Sequence, residues 1–302
     1  MDKKIHKKIL IVGGLLLAVS AWLLAGDVLA QNYQEGQSLG VVTQSKSVFL
    51  FDIDKGESIF TKQADEVSPL ASLTKLMTAL IVYQHQPNWN DWVKMEPQDR
   101  RPGGIPHIIT GEEIKRDDLW NLMLVASSNE SAAALVRSIG LSEETFVAEM
   151  NAQARELGLK RLVFADPTGL NPKNQGTARE IAALARVVFS IPKVRASLVQ
   201  KFYSFAPRGK KLRYIKSTDA LLSSFLNKEP YQVISGKTGY LEESQYNLVF
   251  AAGKKNDRRL IGVLLGSQSN DDRFQEMKGL IYWGFEKAEE AVQKQVVSKV
   301  VF

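Results

Sequence analysis

The sequence contains no cysteine, which excludes disulfides, zinc thiolate sites and a cysteine nucleophile. Histidine is almost as scarce: of three, His6 lies in the basic N-terminus, leaving His85 beyond the end of an apolar helix and His107 in a Pro/Gly-rich loop. Both are expected at the surface, so a Ser-His-Asp triad has little to be built from. There is no internal repeat. Concentrated positive charge is also missing, because the formal net charge of +6 is scattered along the chain. The densest basic run after the N-terminus, Arg208, Lys210, Lys211 and Arg213, has Tyr203, Phe205 and Tyr214 nearby and reads as a solvated loop, so nucleic acid is not an expected partner. The positive balance suits an anionic polymer or a membrane surface.

What is present is ordinary globular material: 302 residues, 44% hydrophobic and 24% charged, enough for one large domain or two small ones. Lys3, Lys4, Lys7 and Lys8 precede an uncharged apolar run over residues 9–25, and Val28-Leu29-Ala30 offers small residues for cleavage before Gln31. Residues 1–30 therefore read as a signal peptide or a retained N-terminal anchor, since the run is longer than a typical signal core and short of a comfortable membrane span. Either reading places the rest outside the cytoplasm, in the periplasm or at the extracytoplasmic face of the membrane. Residues 31–45 read as a flexible linker, 46–287 as the folded domain and 288–302 as a short tail.

Within 46–287, residues 48–53, the turn Asp54-Lys55-Gly56-Glu57 and residues 58–61 predict a β-hairpin. A helical middle follows. Leu119, Leu122 and Met123 line one helix, 132–139 form another ended by Gly140, Ser142 caps a third closed by Gly158, and Thr177 with Glu180 has capping-box spacing ahead of Ile181, Leu184, Ala185 and Val188. Residues 231–235, 246–252 and 260–265 are short β-rich runs, and Phe274, Met277, Ile281 and Phe285 define a closing helix. Strands at both ends of a helical centre predict an α/β fold of the α+β type: one antiparallel sheet assembled from both ends of the domain, flanked by helices, with an inserted helical lobe.

The most unusual stretch is 71–83, where Lys75 is the only charge between Val67 and Gln84. Leu73, Leu76, Met77, Leu80 and Ile81 recur at helical spacing, so the helix belongs inside a domain. Pro69 favours an extended approach and puts Ser72 at the helix start, with Lys75 three residues on and on the same side. A buried ammonium loses its proton readily, and a neutral lysine beside a serine makes an activated nucleophile. A capping serine and a snorkelling lysine would give the same letters, and Ser-x-x-Lys arises by chance about once or twice in ~300 residues. Two further short motifs bear on the choice. Ser127-Ser128-Asn129 sits at a break between helices, and Lys237-Thr238-Gly239 directly follows a strand.

In this order and context the three motifs resemble the penicillin-recognising serine acyltransferases. Residues 71–78 and Lys237-Thr238-Gly239-Tyr240 look like the low-molecular-mass D-alanyl-D-alanine carboxypeptidase and endopeptidase family. The resemblance covers roughly residues 45–285 and includes Met150-Asn151, Pro167-Thr168-Gly169-Leu170, Thr177-Ala178-Arg179 and Arg273. It implies a β-lactamase/transpeptidase-like fold and a serine-type carboxypeptidase acting on peptidoglycan stem peptides, without metal or cofactor, with β-lactams as covalent inhibitors. Ser72 would be the acylated nucleophile and Lys75 its proton acceptor. Ser127 and Asn129 would line the opposite wall, and Lys237 and Thr238 the third. The Ser72 and Tyr240 amides would form the oxyanion hole, Gly239 would let substrate approach, and Thr238 with Arg273 would hold the terminal carboxylate.

Departures from the family pattern are Leu241 and Ser244-Gln245 after Tyr240, which bear on substrate preference. The glutamate that class A β-lactamases carry just ahead of a Leu-Asn pair has no counterpart before Leu170-Asn171. The chain ends seventeen residues after Phe285, which resembles the endopeptidase branch. A DD-endopeptidase and a catalytically silent penicillin-binding module are the alternative readings.

Overall fold

Asp52 turns the chain back on itself: its Oδ1 accepts the amides of Asp54 and Lys55, and Gly56 takes a φ of +73°. The flanking strands, β1 (Ser47–Asp52) and β2 (Glu57–Lys62), are the expected hairpin. The computed structural model describes residues 41–255 and 258–300, with side chains through residue 287. The expected signal or anchor segment, residues 31–40 of the expected linker and the side chains of the expected tail lie outside the described residues. The last residues of that linker are pinned in place. Glu276 accepts the Thr43 hydroxyl and the amides of Gln44 and Ser45.

Three later strands, β3 (Tyr231–Leu241), β4 (Gln245–Lys254) and β5 (Arg259–Ser267), complete an antiparallel sheet in the order β2-β1-β5-β4-β3. The sheet draws on both ends of the domain, as the pattern predicts. Its late strands are longer than the apolar runs that announced them. Lys237-Thr238-Gly239 lies inside β3, not after it, because these residues pair with Val249, Leu248 and Asn247 of β4. Partner pairing overrides their poor strand propensity.

The helices are α1 (Lys75–Gln84), α2 (Arg116–Val125), α3 (Asn129–Ser138), α4 (Glu143–Glu156), α5 (Ala178–Val188), α6 (Pro192–Leu198) and α7 (Asn270–Val300). Ser142 and Thr177 cap as predicted, accepting the amides of Thr145 and Glu180, and Gly140 and Gly158 take left-handed φ values after α3 and α4. Two short ladders went unpredicted because their strands, of three or four residues each, are too brief to set up a readable alternation: Trp92–Lys94 with Glu113–Lys115, and Phe202–Phe205 with Arg213–Lys216. The basic run turns the second of these. Arg213 pairs with Glu112, and Arg208 with Glu113 at 3.3 Å.

Strand alternation divides the core between the two faces of the sheet. On one face Leu50, Leu248, Phe250, Leu260 and Leu264 pack against Phe274, Met277, Ile281 and Phe285 of α7. On the other, Phe49, Val249, Ala251, Ile261 and Val263 meet Ile181, Leu184 and Val188 of α5, and the same core continues into α1 and the helical lobe. Residues Val41–Ala288 thus form one compact unit. Phe285 is fully buried, with its ring 5.5 Å from that of Tyr231. Truncation by Phe285→Ala should cost about 3–5 kcal/mol of unfolding free energy, read as a lowered denaturation midpoint in urea; a midpoint within error of the parent protein would contradict this packing.

Candidate active site

Ser72 stands in a single 3-10 turn, Ala71–Thr74, and Lys75 is the first residue of α1. No side chain caps this start, so the capping role open to Ser72 from sequence is not the one it fills. The turn is held by other segments. Ser68–Pro69 pairs with Gln175–Gly176, Leu70 N donates to Asn174 O, and Asn247 Nδ2 of β4 donates to Pro69 O. Ala71 takes a φ of +50°, a conformation non-glycine residues rarely adopt.

Lys75 is wholly buried, and its Nζ has three neighbours: Ser72 Oγ at 2.8 Å, Asn129 Oδ1 at 2.7 Å and the carbonyl of Thr168 at 2.6 Å. Asn129 Nδ2 donates to Pro102 O, which orients the amide so that its oxygen faces the lysine. A carbonyl and an amide oxygen can only accept, so they take both hydrogens of a neutral amine and leave its lone pair directed at the Ser72 hydroxyl. Burial lowers the Lys75 pKa to about 7, opposed by the charge of Asp166.

Asp166 is the functional residue sequence reasoning did not assign. Its carboxylate accepts the amides of Thr168, Gly169 and Asn171, the Thr168 hydroxyl and Asn174 Nδ2. Burial would raise this carboxyl, but those hydrogen bonds outweigh it and hold the pKa below its usual value. The knot aims Thr168 O at Lys75. It also presses Gly169 against the serine turn, where an added Cβ would stand 2.0 Å from Ala71 O, so only glycine fits. An aspartate with Thr two residues on and Gly three on is an Asx-turn pattern, and that signal was available.

The second wall joins α2 to α3. Ser127 takes a φ of +59° at the break, and Ser128 caps α3 by accepting the Ser131 amide, which leaves Ser127 and Asn129 facing the cleft. On the third wall Lys237 Nζ donates to Ser127 Oγ at 2.7 Å and to Thr238 O at 2.9 Å. Burial, then the charges of Lys75 and Arg273, push its pKa well below the usual value against the pull of Asp219. Thr238 Oγ1 lies 2.7 Å from Thr218 Oγ1, and Thr218 N donates to Val125 O, so a single residue ties this wall to the second. Tyr240 is half exposed and lies over Tyr246, ring centroids 4.5 Å apart. Gly239 brings β3 close to the serine: a Cβ there would be 3.2 Å from Ser72 N. Arg273 is buried behind the strand, donating to the carbonyls of Gly239 and Asn247 and lying over the rings of Tyr246 and Phe274. The structure therefore brings Ser72, Lys75, Ser127, Asn129, Lys237, Thr238 and Gly239 to one cleft and sets Arg273 one layer back. His85 is at the surface against Glu149, as expected, while His107 is half-buried.

The state of Lys75 can be read directly. In protein carrying 13C at lysine Cε, one resonance, identified by its loss in Lys75→Arg, should titrate near pH 7, as burial dictates. Asp166→Asn should move it to lower pH, because the lost anion favours the ammonium. Titration near the usual 10.5 would contradict the geometry.

Among curated proteins, the chain is 30% identical over 222 residues to a D-alanyl-D-alanine endopeptidase of Haemophilus influenzae, covering 73% of this chain and 74% of that one. It is also 30% identical over 255 residues to the D-alanyl-D-alanine carboxypeptidase DacC of Escherichia coli, covering 80% of this chain but only 61% of the relative. The crystal structure of the Streptomyces K15 DD-transpeptidase superposes with a TM-score of 0.75 at 25% identity, over 82% of this chain and 99% of that one. The model of the family described as D-alanyl-D-alanine carboxypeptidase matches residues 34–269, a span that takes in all three walls of the cleft and stops short only of Arg273. The chain belongs to the D-alanyl-D-alanine carboxypeptidase family.

Proposed function

We propose that the protein is an extracytoplasmic serine-type D-alanyl-D-alanine carboxypeptidase that trims peptidoglycan stem peptides through an acyl-enzyme on Ser72. The observation that carries this reading is the buried Lys75 Nζ, set 2.8 Å from Ser72 Oγ and within 2.7 Å of two oxygens that can only accept, so that once neutral it turns its lone pair to the Ser72 hydroxyl. As Oγ attacks the carbonyl of the penultimate D-alanine, Lys75 takes its proton. Charge develops on the carbonyl oxygen, which the amides of Ser72 and Tyr240 would receive. The bond to the terminal D-alanine then breaks, and its nitrogen leaves with a proton returned from the Lys75 ammonium. Ser127 suits the relay because its oxygen already accepts from Lys237, which leaves its own hydrogen to donate. Water then attacks the acyl-enzyme, with Lys75 again the base, and releases the shortened peptide.

β3 is the outer strand of the sheet, which suits an extended peptide lying alongside Thr238 with its carboxylate toward the hydroxyl and the field of Arg273. A penicillin would enter the same way and remain on Ser72 after its ring opens. A site for stem peptides belongs outside the cytoplasm, in the periplasm or on the outer face of the membrane. Among the described residues no helix is long and apolar enough to cross a membrane.

Fluorescent penicillin should label the protein covalently, with one adduct on the peptide carrying Ser72. Ser72→Ala should abolish the adduct, and Lys75→Arg, which keeps the charge but supplies no neutral base, should slow labelling by about a hundredfold or more. Labelling of Ser72→Ala would remove the nucleophile assignment, and near-normal labelling of Lys75→Arg would make that lysine structural.

A second reading rests on the Haemophilus influenzae relative, which is named an endopeptidase. A cross-linked stem peptide also presents a carboxylate on the D-centre next to the scissile bond, so the same walls would serve both reactions. Chromatography of digested muropeptides separates them: we expect both pentapeptide trimming and conversion of dimers to monomers. Fully trimmed pentapeptides beside intact dimers would remove the endopeptidase reading, and the converse would remove the carboxypeptidase one.

A further inference from the structure

Behind β3 lies a buried carboxylate that the proposed reaction does not use. Asp219 Oδ1 accepts the Leu221 amide at 2.9 Å and starts a 3-10 turn, while its Oδ2 has no hydrogen-bond partner among the described residues. That oxygen presses on the strand one residue before Lys237: a Cβ built on Gly236 would stand 2.2 Å from it. The preceding residue, Thr218, is the one whose hydroxyl meets Thr238. Two cations face Asp219, Lys237 from β3 and Arg273 from α7, and Phe250 of β4, packed near the same glycine, brings no charge. Burial raises the Asp219 carboxyl to about 6, against the Leu221 hydrogen bond and those two charges.

We propose that Asp219 is a specificity-determining residue that competes with the substrate's terminal carboxylate for the positive field of Lys237 and Arg273, so that carboxylate-bearing substrates bind best when Asp219 carries a proton. The inference rests on the function proposed above. Two anions on opposite sides of one strand repel through a poorly screened interior. A bound carboxylate therefore makes Asp219 harder to ionise, and by linkage an ionised Asp219 weakens binding. With the Asp219 carboxyl at about 6, affinity is highest in mild acid and falls as pH rises through that value.

The test compares the intact wild-type enzyme with Asp219→Asn, which keeps the shape and the acceptor for Leu221 but cannot carry charge. With an N-acylated peptide ending in D-alanyl-D-alanine, kcat and KM are measured between about pH 5 and pH 8. Titration of Lys75 is common to both proteins and cancels in the comparison, whereas loss of the Asp219 anion lowers the Lys237 pKa in the variant, which weakens its hold on a carboxylate and so works against the expected difference. Wild-type KM should rise about three- to tenfold more than the variant's across this range, leaving the variant with the lower KM at the alkaline end and kcat within about twofold. Parallel KM profiles, or a variant KM raised at every pH, would overturn the proposal. Should Asp219→Asn fail to fold, titration calorimetry of the peptide into Ser72→Ala, in two buffers of different ionisation heat near pH 6.5, gives an independent reading. Net proton uptake is expected, and none would overturn the proposal. Turnover of the peptide by the wild-type enzyme tests the proposed function, whereas the difference between the two KM profiles tests Asp219 alone.

Discussion

The cost of burying an amine at the head of α1 governs this molecule. A lysine at zero exposure holds its proton only weakly near neutral pH without a close anion, and the one whose charge supports it, Asp166, is spent on backbone amides. With its pKa at about 7 the amine gives up its proton readily, and a neutral amine needs two acceptors and something to receive its lone pair. Asn129 Oδ1 and Thr168 O are the acceptors, and the Ser72 hydroxyl is what remains. An uncharged, apolar helix is the only kind that could carry such a group inward, which is why residues Lys75 through Val82 are all buried.

Three distant segments converge on that amine, and each is fixed by its own local device. Asx-type hydrogen bonds knot residues 166–171, a left-handed serine breaks α2 from α3, and a two-glycine strand closes the third side. Gly169 and Gly239 are packed against the backbone of the serine turn, so the spacing of the walls is set by backbone contact, and side-chain flexibility cannot widen it. The charges follow the same plan. Each buried lysine of the cleft feels a carboxylate it does not touch, Asp166 for Lys75 and Asp219 for Lys237, so their protonation is tuned by field rather than quenched by an ion pair.

The elements legible in the sequence were those whose cause is local. The Asp54-Lys55-Gly56 turn, the Ser142 and Thr177 caps, and the amphipathic stripe of Phe274, Met277, Ile281 and Phe285 all depend on residues within a few positions of one another. The pairing of Ser72 with Lys75 is of this kind, since three residues on a helical turn place them side by side. Less legible were features stabilised from across the fold. β3 runs through glycine and lysine because β4 supplies its hydrogen bonds, and the two short ladders exist because a partner strand happens to lie opposite.

By itself, then, the sequence determined that Ser72 and Lys75 would stand side by side at the head of an apolar helix and that the sheet would be assembled from both ends of the domain, while the meeting of the three motifs was implied by their resemblance to a known family. Burial and helical periodicity are one-dimensional patterns, and they survive without coordinates. Only the tertiary structure decided which atoms satisfy the amine, that Asp166 and not a residue of the three motifs holds Thr168 O in place, and that Arg273 lies behind the strand rather than in the open cleft. Those outcomes depend on distances between segments far apart in the chain, which set both hydrogen-bond geometry and the strength of charge interactions and which no local sequence spacing encodes.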